Sequence, residues 1–600
     1  MYRQYYIKWR TDMQLSGAEI IVEEIIRHGV DTVFGYPGGN VIDIYDALYK
    51  NENRLRHILT AHEQGAAHAA DAYARVTGKT GVAIATSGPG ATNLVTGIAN
   101  AYLDSIPVVF ITGNVPIDMM GRDSFQEIDI MGVTLPIVKH SFIVRTVEEL
   151  GNVLVSAFHI AQNGRKGPIL VDIPKNVQLG RCEYDPELAA LEFDVKLQSI
   201  PENNNSDQNT KQFVVSTHYY GAKQAALKRS GVAKTADHSG LDAAIDMINN
   251  SHKPYIYCGG GVVASDTGDI AAELSNKLCA PVGSSLMGIG SVPFSFERYL
   301  GMCGMHGRYA SNVAKSEADL IIALGVRFSD RATGDAKEYA GNSAVIHIDA
   351  DAAEVGKNIG VDISICGNLK DILPEIVNRV AQKRETEWQT RIRELKAGSS
   401  EPVDDSFTPK NIIKRVNAFF GDDAPVATDV GQHQMWVAQY YEFEKPRKLI
   451  TSGGLGAMGF GFGAAIGACI ASGGKRTALF TSEGSFGMNL TELATAVTYA
   501  LPITVILLNN GVLGMMRQLQ TLFFEKRYSQ TTLDRKTDFP AIAGAFGAHG
   551  YSASNLAELE AALASASELS GPSLIDCKIH EDEMVMPMIP AGSAFKDMLV

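Results

Sequence analysis

Two residues of this chain stand out for the chemistry their types and spacing allow. Glu483 lies in Ser482-Glu483-Gly484-Ser485-Phe486, and Asn510 follows 27 positions later in the run Leu507-Leu508-Asn509-Asn510. A carboxylate and an amide oxygen suit a hard divalent cation such as Mg²⁺. A strand that ends in a carboxylate and a glycine and runs into a helix also turns backbone N–H groups toward an anion. Together the pieces describe a frame that holds a divalent cation against a diphosphate, which suggests a cofactor enzyme. Taken alone, the same residues also fit an ordinary strand-turn-helix with a surface glutamate.

Other segments carry similar potential. Glu63 sits in Ala61-His-Glu-Gln-Gly-Ala-Ala-His68, after a strand and at the start of an alanine-rich helix. By itself it would only complement the helix dipole. Thr86-Ser-Gly-Pro-Gly-Ala-Thr-Asn93 is a Gly-rich turn between strand and helix, of a kind that any tight turn could require.

These residues need rigid elements behind them, and the hydrophobic pattern supplies three blocks of strand-helix alternation. Thr32–Gly35, Val82–Thr86 and Val108–Thr112 form the first set of short apolar runs. Tyr255–Cys258, Leu320–Leu324 and Ala344–Ile348 form the second. Pro425–Thr428, Thr477–Thr481, Ile503–Leu508 and Pro572–Asp576 form the third. The expectation is an α/β protein of three doubly wound parallel-sheet domains. The expected boundaries are an extension over 1–13, a first domain over 14–184, a polar linker or insertion over 185–238, and a central domain over 239–380. A connector over 381–404, with a charged helix from Glu385 to Lys396 and a boundary near Pro402, leads to a third domain over 405–600. The insertion contains Asn203-Asn204-Asn205-Ser206-Asp207 and no sustained period, so at least part of it is expected to be disordered.

The bulk numbers narrow the function classes. Six hundred residues imply several cores. With 45% apolar and 20% charged residues the composition is that of a soluble globular protein. A formal net charge of −14 argues against general nucleic-acid binding. Seven dispersed cysteines without a CxxC pair fit a reducing, cytoplasmic setting. The N-terminal residues lack the apolar core of a signal peptide. Leu455–Ser472 is uncharged over 18 residues, but Gly and Ala dominate it, so a buried, tightly packed helix is expected and no membrane span.

In order along the chain, Glu63 in its HEQGA setting, the SGPGATN turn, Asp429-Val-Gly-Gln-His433, Gly453-Gly-Leu-Gly-Ala-Met458 and the spacing from Glu483 to Asn510 resemble the large catalytic subunits of the acetolactate synthase (acetohydroxyacid synthase) family. The resemblance runs from about Met13 to Pro587-Met-Ile-Pro-Ala-Gly592. It implies thiamine diphosphate, Mg²⁺ and FAD as cofactors, with FAD in a non-redox role. It also implies decarboxylation of pyruvate and transfer of the hydroxyethyl unit to a second pyruvate, giving 2-acetolactate, or to 2-oxobutyrate, giving 2-aceto-2-hydroxybutyrate, in branched-chain amino-acid biosynthesis.

The resemblance assigns roles residue by residue. Glu63 would share a proton with the aminopyrimidine. Met458 would support the bent cofactor, joined by Gly456. Gly431, Gln432, His433, Gly484, Ser485, Leu513, Gly514 and Met515 would line the thiamine diphosphate site. Glu483, Asn510 and the carbonyl of Val512 would bind the metal. Arg165, Gly260, Gly304, His306, Gly307, Arg327 and Asp349 would contact FAD. Phe125 and Gln126 would lie over the reacting centre, and Arg331 would meet the carboxylate of the second 2-oxo acid. The family's shared sites imply a homodimer or homotetramer, and a regulatory small subunit is expected.

Three sites depart from the family pattern, the first at two adjacent residues. Ser482-Glu483 replaces the usual Gly-Asp, which moves the carboxylate outward by one methylene, about 1.5 Å. Leu519 replaces a Trp tied to 2-oxobutyrate preference. Asn368 stands where Asp is frequent. The alternatives are a flavin-free catabolic acetolactate synthase, another thiamine-diphosphate carboligase or decarboxylase, or a non-catalytic paralogue with an altered metal motif.

Overall fold

The computed structural model describes residues 14–187, 238–399 and 404–600. The extension over 1–13, all but the ends of the 185–238 insertion, and the boundary near Pro402 lie outside the described residues.

One compact unit contains residues 14–187 together with 454–472. Strands β1 (Gln14–Ser16), β2 (Thr32–Tyr36), β3 (Arg56–Leu59), β4 (Gly81–Ala85), β5 (Val108–Asn114), β6 (His140–Ile143), β7 (Ile169–Pro174) and β8 (Arg181–Glu183) build it. β1 and β8 pair as a short antiparallel ribbon, and the other six form a parallel sheet in the order β3-β2-β4-β5-β7-β6. The central strands β4 and β5 are buried along their whole length, which explains their nearly continuous apolar sequences.

Helix Gly17–Arg27 starts at a capping box between Ser16 and Glu19 and sets Ile20, Ile21 and Ile25 into the core under Val82, Ile84 and Val109. Each such aliphatic side chain contributes about 1.5–3 kcal/mol by leaving water. Helix Phe460–Ala471 packs in the same unit against helix Glu63–Thr77 through small residues. A Cβ at Gly467 would lie 2.0 Å from the Ala69 carbonyl oxygen, so any larger residue there would push the two helices apart. The uncharged stretch is therefore a buried helix only from residue 460. Its first part is a turn, with Gly456 and Gly459 in the left-handed region at φ +68° and +90°.

The second unit, residues 238–453 and 473–600 among those described, holds two further six-stranded parallel sheets. β9 (Pro254–Cys258), β10 (Val282–Ser284), β11 (Tyr299–Met302), β12 (Leu320–Leu324), β13 (Ala344–Asp349) and β14 (Ile363–Cys366) run β11-β10-β9-β12-β13-β14. β15 (Val426–Thr428), β16 (Leu449–Ile450), β17 (Thr477–Thr481), β18 (Ile503–Asn509), β19 (His549–Ala553) and β20 (Ser573–Lys578) run β16-β15-β17-β18-β20-β19. The charged connector is a helix over Glu387–Gly398, capped by Thr386 and Gln389.

Each sheet has a central reversal of strand order, between β2 and β4, between β9 and β12, and between β15 and β17. Ligands in open α/β sheets bind beyond the carboxyl ends of the strands at such reversals. No helix among the described residues is long and apolar enough to cross a membrane.

Candidate active site

In the first unit, the segments following β2, β3 and β4 converge. Glu63 opens the helix that follows β3, with His62 as N-cap accepting from Gln64 N–H at 3.0 Å. It is half-buried, and its Oε2 accepts a 2.9 Å hydrogen bond from Asn93 Nδ2. Asn93 ends the short helix Pro89–Asn93 after the Gly-rich turn. The glycines of that turn allow close approach. A Cβ at Gly90 would lie 3.2 Å from Glu63 Oε1, and one at Gly88, which sits at φ +60°, would lie 2.8 Å from the Cα of Gln126. The turn is joined to the β2 end by Asn40, which donates to Ser87 Oγ at 2.6 Å. Glu63, Asn93 and Gln126 thus gather on one turn, and the neighbouring Phe125 is 87% exposed.

Gly456 and Met458 lie in the same unit, in the turn before helix Phe460–Ala471. Asp104 anchors this turn by accepting from Gly454 N–H at 2.7 Å. The Arg75 guanidinium holds Asp104 at 2.8 Å and belongs to the helix that Glu63 begins, so one buried ion pair links both segments. Arg165 is also in this unit, its Nε donating to Ser105 Oγ at 2.8 Å. The other residues expected at FAD belong to the second unit.

In the third sheet, the loops after β15 and β17 frame the reversal. Gly431, at φ +156°, caps helix Gln432–Tyr440, and Ser485 Oγ donates to the Val430 carbonyl at 2.8 Å. Glu483 opens helix Glu483–Asn489, with Gly484 and Ser485 in its first turn. It is only 5% exposed, so the surface-glutamate reading does not hold. Neither of its carboxyl oxygens has a hydrogen-bond partner. Burial pushes its pKa up to about 7, against the opposing pull of its own backbone N–H and those of Gly511 and Val512.

Next to it, Asn510 Oδ1 accepts from Val512 N–H at 3.3 Å, while its Nδ2 faces Gln432 Oε1 at 3.5 Å. Gln432 Nε2 is fixed by Gln518 Oε1 at 3.0 Å and the Glu583 carbonyl at 2.8 Å. Gly514 is required here: a Cβ would fall 1.9 Å from Gln432 Oε1. Leu513 N–H donates to the Thr531 carbonyl at 2.7 Å, and Met515 packs against the third-sheet core. His433 is buried, with Nε2 unpartnered, and burial lowers its pKa to about 3, which keeps it neutral.

The described residues contain no group of three or more His, Cys, Asp and Glu side chains able to hold a metal. A cation at Glu483 would draw on its carboxylate plus amide, carbonyl and cofactor oxygens. That donor set is hard and oxygen-only, as Mg²⁺ requires, and the two orphaned carboxyl oxygens are what a cation would satisfy.

In the central sheet, Gly259–Gly261 follow β9 and Gly325–Arg327 follow β12, so the two glycine-rich turns flank the reversal. A Cβ at Gly259 would lie 2.0 Å from the Gly325 carbonyl oxygen, and one at Gly260 would lie 3.1 Å from Met287 Cβ. Asp349 ends β13, and its Oδ1 accepts from Asp351 N–H at 2.9 Å. Arg327 Nε is 3.9 Å from Glu354. Gly304, at φ +126°, begins a turn in which Gly307 N–H donates to its carbonyl at 2.9 Å. His306 lies within the turn, and burial, with the nearby Arg331 charge, lowers its pKa to about 4. Its Nδ1 has no hydrogen-bond partner. The Arg331 side chain is exposed, near Met305 Sδ at 3.7 Å.

Three family models match in turn across the three sheets: thiamine pyrophosphate enzyme, N-terminal TPP binding domain over 15–133, central domain over 241–376, and C-terminal TPP binding domain over 429–577. Similarity also extends over nearly the whole chain. Acetolactate synthase isozyme 2 large subunit of Escherichia coli K12 is 41% identical over 98% of this chain and 99% of its own length. Acetolactate synthase large subunit of Haemophilus influenzae is 40% identical over 98% of each chain. The chain belongs to the acetolactate synthase large-subunit family. Isozyme 1 of the same Escherichia coli strain is 39% identical, again over 98% of each chain.

For this member of the acetolactate synthase family, two supports of the site are not legible in the sequence. The Asn93 bond to Glu63 spans 30 positions, and the tie from Arg75 through Asp104 to Gly454 spans 29 and then 350. Only folding brings these residues within reach.

Proposed function

We infer that this protein synthesises 2-acetolactate from two molecules of pyruvate, and 2-aceto-2-hydroxybutyrate when 2-oxobutyrate is the acceptor, with thiamine diphosphate, Mg²⁺ and FAD as cofactors. Thiamine diphosphate, when bound, supplies the thiazolium that takes up the electron pair released as pyruvate loses CO₂. The observation that carries the cofactor reading is Glu483, a buried carboxylate whose two oxygens lack partners in a helix start that Ser485 ties to the Val430 carbonyl, just before the helix over Gln432–Tyr440. Burying an unpaired charge is costly, and a cation bridging it to a diphosphate removes the cost.

Within this reading the chain's residues have distinct tasks. Glu63 holds the proton shared with the aminopyrimidine ring nitrogen, and Asn93 fixes the orientation of its carboxylate. Met458 presents an apolar surface that keeps water out. Glu483, Asn510 and the Val512 carbonyl would hold Mg²⁺, while Gly484, Ser485, Leu513 and Gly514 would allow the diphosphate to approach the backbone. Phe125 and Gln126 orient the acceptor, and Arg331 clamps its carboxylate. Gly260, Gly304, His306, Gly307, Arg327, Asp349 and Arg165 would hold FAD. Support for that comes from the glycine pairs at the central reversal, which leave room only for backbone, and from the unpartnered His306 Nδ1. A homodimer or homotetramer with a regulatory small subunit fits the large-subunit relatives. A cytoplasmic location fits the seven free cysteines.

Product analysis tests this directly. Purified protein given thiamine diphosphate, Mg²⁺, pyruvate and 2-oxobutyrate should form both acetohydroxy acids, dependent on FAD. Absence of CO₂ release under every condition would overturn it. Leu519 is half-buried on helix Gly514–Phe523 and lacks the bulk of an indole, so competing acceptors should be used with a ratio within a few-fold of their concentrations. A strong preference for 2-oxobutyrate in that competition would contradict this role of Leu519.

A further inference from the structure

The loop that carries Phe125 and Gln126 is held in a costly conformation. Asp123 and Gln126, neither a glycine, have φ of +54° and +60°, and Gly121 has +75°. Non-glycine residues in this region cost about 1 kcal/mol or more each and persist only where the surroundings over-determine them. Gln126 is also pressed against Gly88, where any Cβ would collide with its backbone. The exposed loop buries little apolar surface that could enforce this shape, since Phe125 points to solvent.

What enforces it is Glu127. One of its carboxylate oxygens accepts from Gly121 N–H, and the other accepts from Ser124 N–H at 2.9 Å. Its own backbone N–H donates to the Ser124 carbonyl at 2.9 Å, and Ser124 Oγ donates to the Met119 carbonyl at 2.8 Å. A single side chain thus ties the start and the middle of the strained segment to the residue next to Gln126. The same N–H groups hold its carboxyl below the usual carboxylate range, with Gly121 the larger cause, so it is ionised when it makes these bonds.

We propose that Glu127 is a positioning residue for the acceptor step: its carboxylate gathers the loop's backbone N–H groups and so presents Gln126 to the Gly88–Gly90 turn that faces Glu63. This rests on the reading of Phe125 and Gln126 as acceptor-orienting residues. Glu127 touches no reacting atom itself. It acts by removing the alternative loop conformations that would otherwise compete, an entropy that would have to be paid at each turnover.

The test compares Glu127→Gln, Glu127→Ala and Gln126→Ala holoenzymes. Three measurements are made: kcat and KM for acetohydroxy-acid formation, the melting temperature, and the rate of trypsin cleavage after Arg122, an exposed residue inside the loop. Glu127→Ala should lower kcat/KM for acceptor transfer by about tenfold, on the scale of one charge-assisted hydrogen bond. It should also speed cleavage at Arg122 and leave the melting temperature unchanged. Glu127→Gln, which keeps one acceptor oxygen, should fall between Ala and wild type. Unchanged cleavage, or unchanged kinetics in Glu127→Ala while Gln126→Ala is impaired, overturns the proposal. If Gln126→Ala is itself silent, the assignment of Gln126 fails, and the role of Glu127 in the acceptor step falls with it.

Discussion

Glu63 and Glu483 both open a helix just beyond a parallel strand, yet their surroundings are opposite. Glu63 is half-buried and takes a hydrogen bond from Asn93. Glu483 is buried with both oxygens unpartnered, and its pKa is pushed up to about 7. A carboxylate that must hold and pass a proton needs a fixed orientation and access to the ring it serves. One that must hold a cation needs free lone pairs in a space that only the cation fills. In the proposed function the same side chain at the same kind of helix start would take on two roles according to what faces it.

The largest test of this contrast is Glu63→Gln, which keeps the Asn93 contact but cannot hold the proton. Acetolactate formation should drop by about 10²–10⁴-fold, the range of general acid-base catalysis, with the fold intact by circular dichroism. Activity within a few-fold of wild type would end the proton-handling assignment.

Glu483→Gln should act on a different quantity. Equilibrium titration of the cofactor-free protein with thiamine diphosphate should show a Mg²⁺-dependent gain in affinity that the variant loses by about tenfold or more, because a neutral amide replaces the buried carboxylate. Equal Mg²⁺ dependence in both proteins would remove Glu483 from the metal site.

Asn93→Ala sharpens the first half of the comparison. It leaves the Glu63 carboxylate in place and removes its orienting donor, so kcat should fall by about tenfold with little change in thiamine diphosphate affinity. A change in affinity alone would place Asn93 on the cofactor and not on Glu63.

The smallest expected effect is in stability. The folded pKa of Glu483 is raised above the ordinary glutamate value of 4.5, so the folded protein binds the proton more tightly than the unfolded chain. Its contribution is therefore fully present at low pH and declines as pH rises from about 4.5 to about 7, by at most about 3 kcal/mol. Asp172, buried and also pushed up from 3.8 to about 7, acts over a window that includes this one. The melting temperature of the cofactor-free protein should fall by a few degrees over this range. Glu483→Gln should remove part of that fall, and Mg²⁺ with thiamine diphosphate should reduce it. An identical pH profile in the variant would show that Glu483 is not the titrating group.

The interior of each sheet was legible because its strands are buried on both faces and keep uniform apolar runs, as in Gly81–Ala85 and Leu320–Leu324. The sheet edges were not. Arg56–Leu59, His140–Ile143, Ile363–Cys366 and His549–Ala553 are outermost strands with polar, partly exposed residues, and their pairing is decided by the neighbouring strand. The continuous apolar run that reveals a central strand has no counterpart at an edge where one side is open.

The sequence alone determined the α/β class, the carboxylates that begin the two key helices, and the glycines that let backbones meet, because these depend on local pattern and on the absence of a Cβ. Tertiary structure alone decided that Glu63 is oriented by Asn93, that the Met458 turn is tied through Asp104 to the helix of Glu63, and that Glu483 is buried without a partner. Partnership and desolvation depend on which residues distant in sequence come within a few ångströms, and no local pattern encodes that.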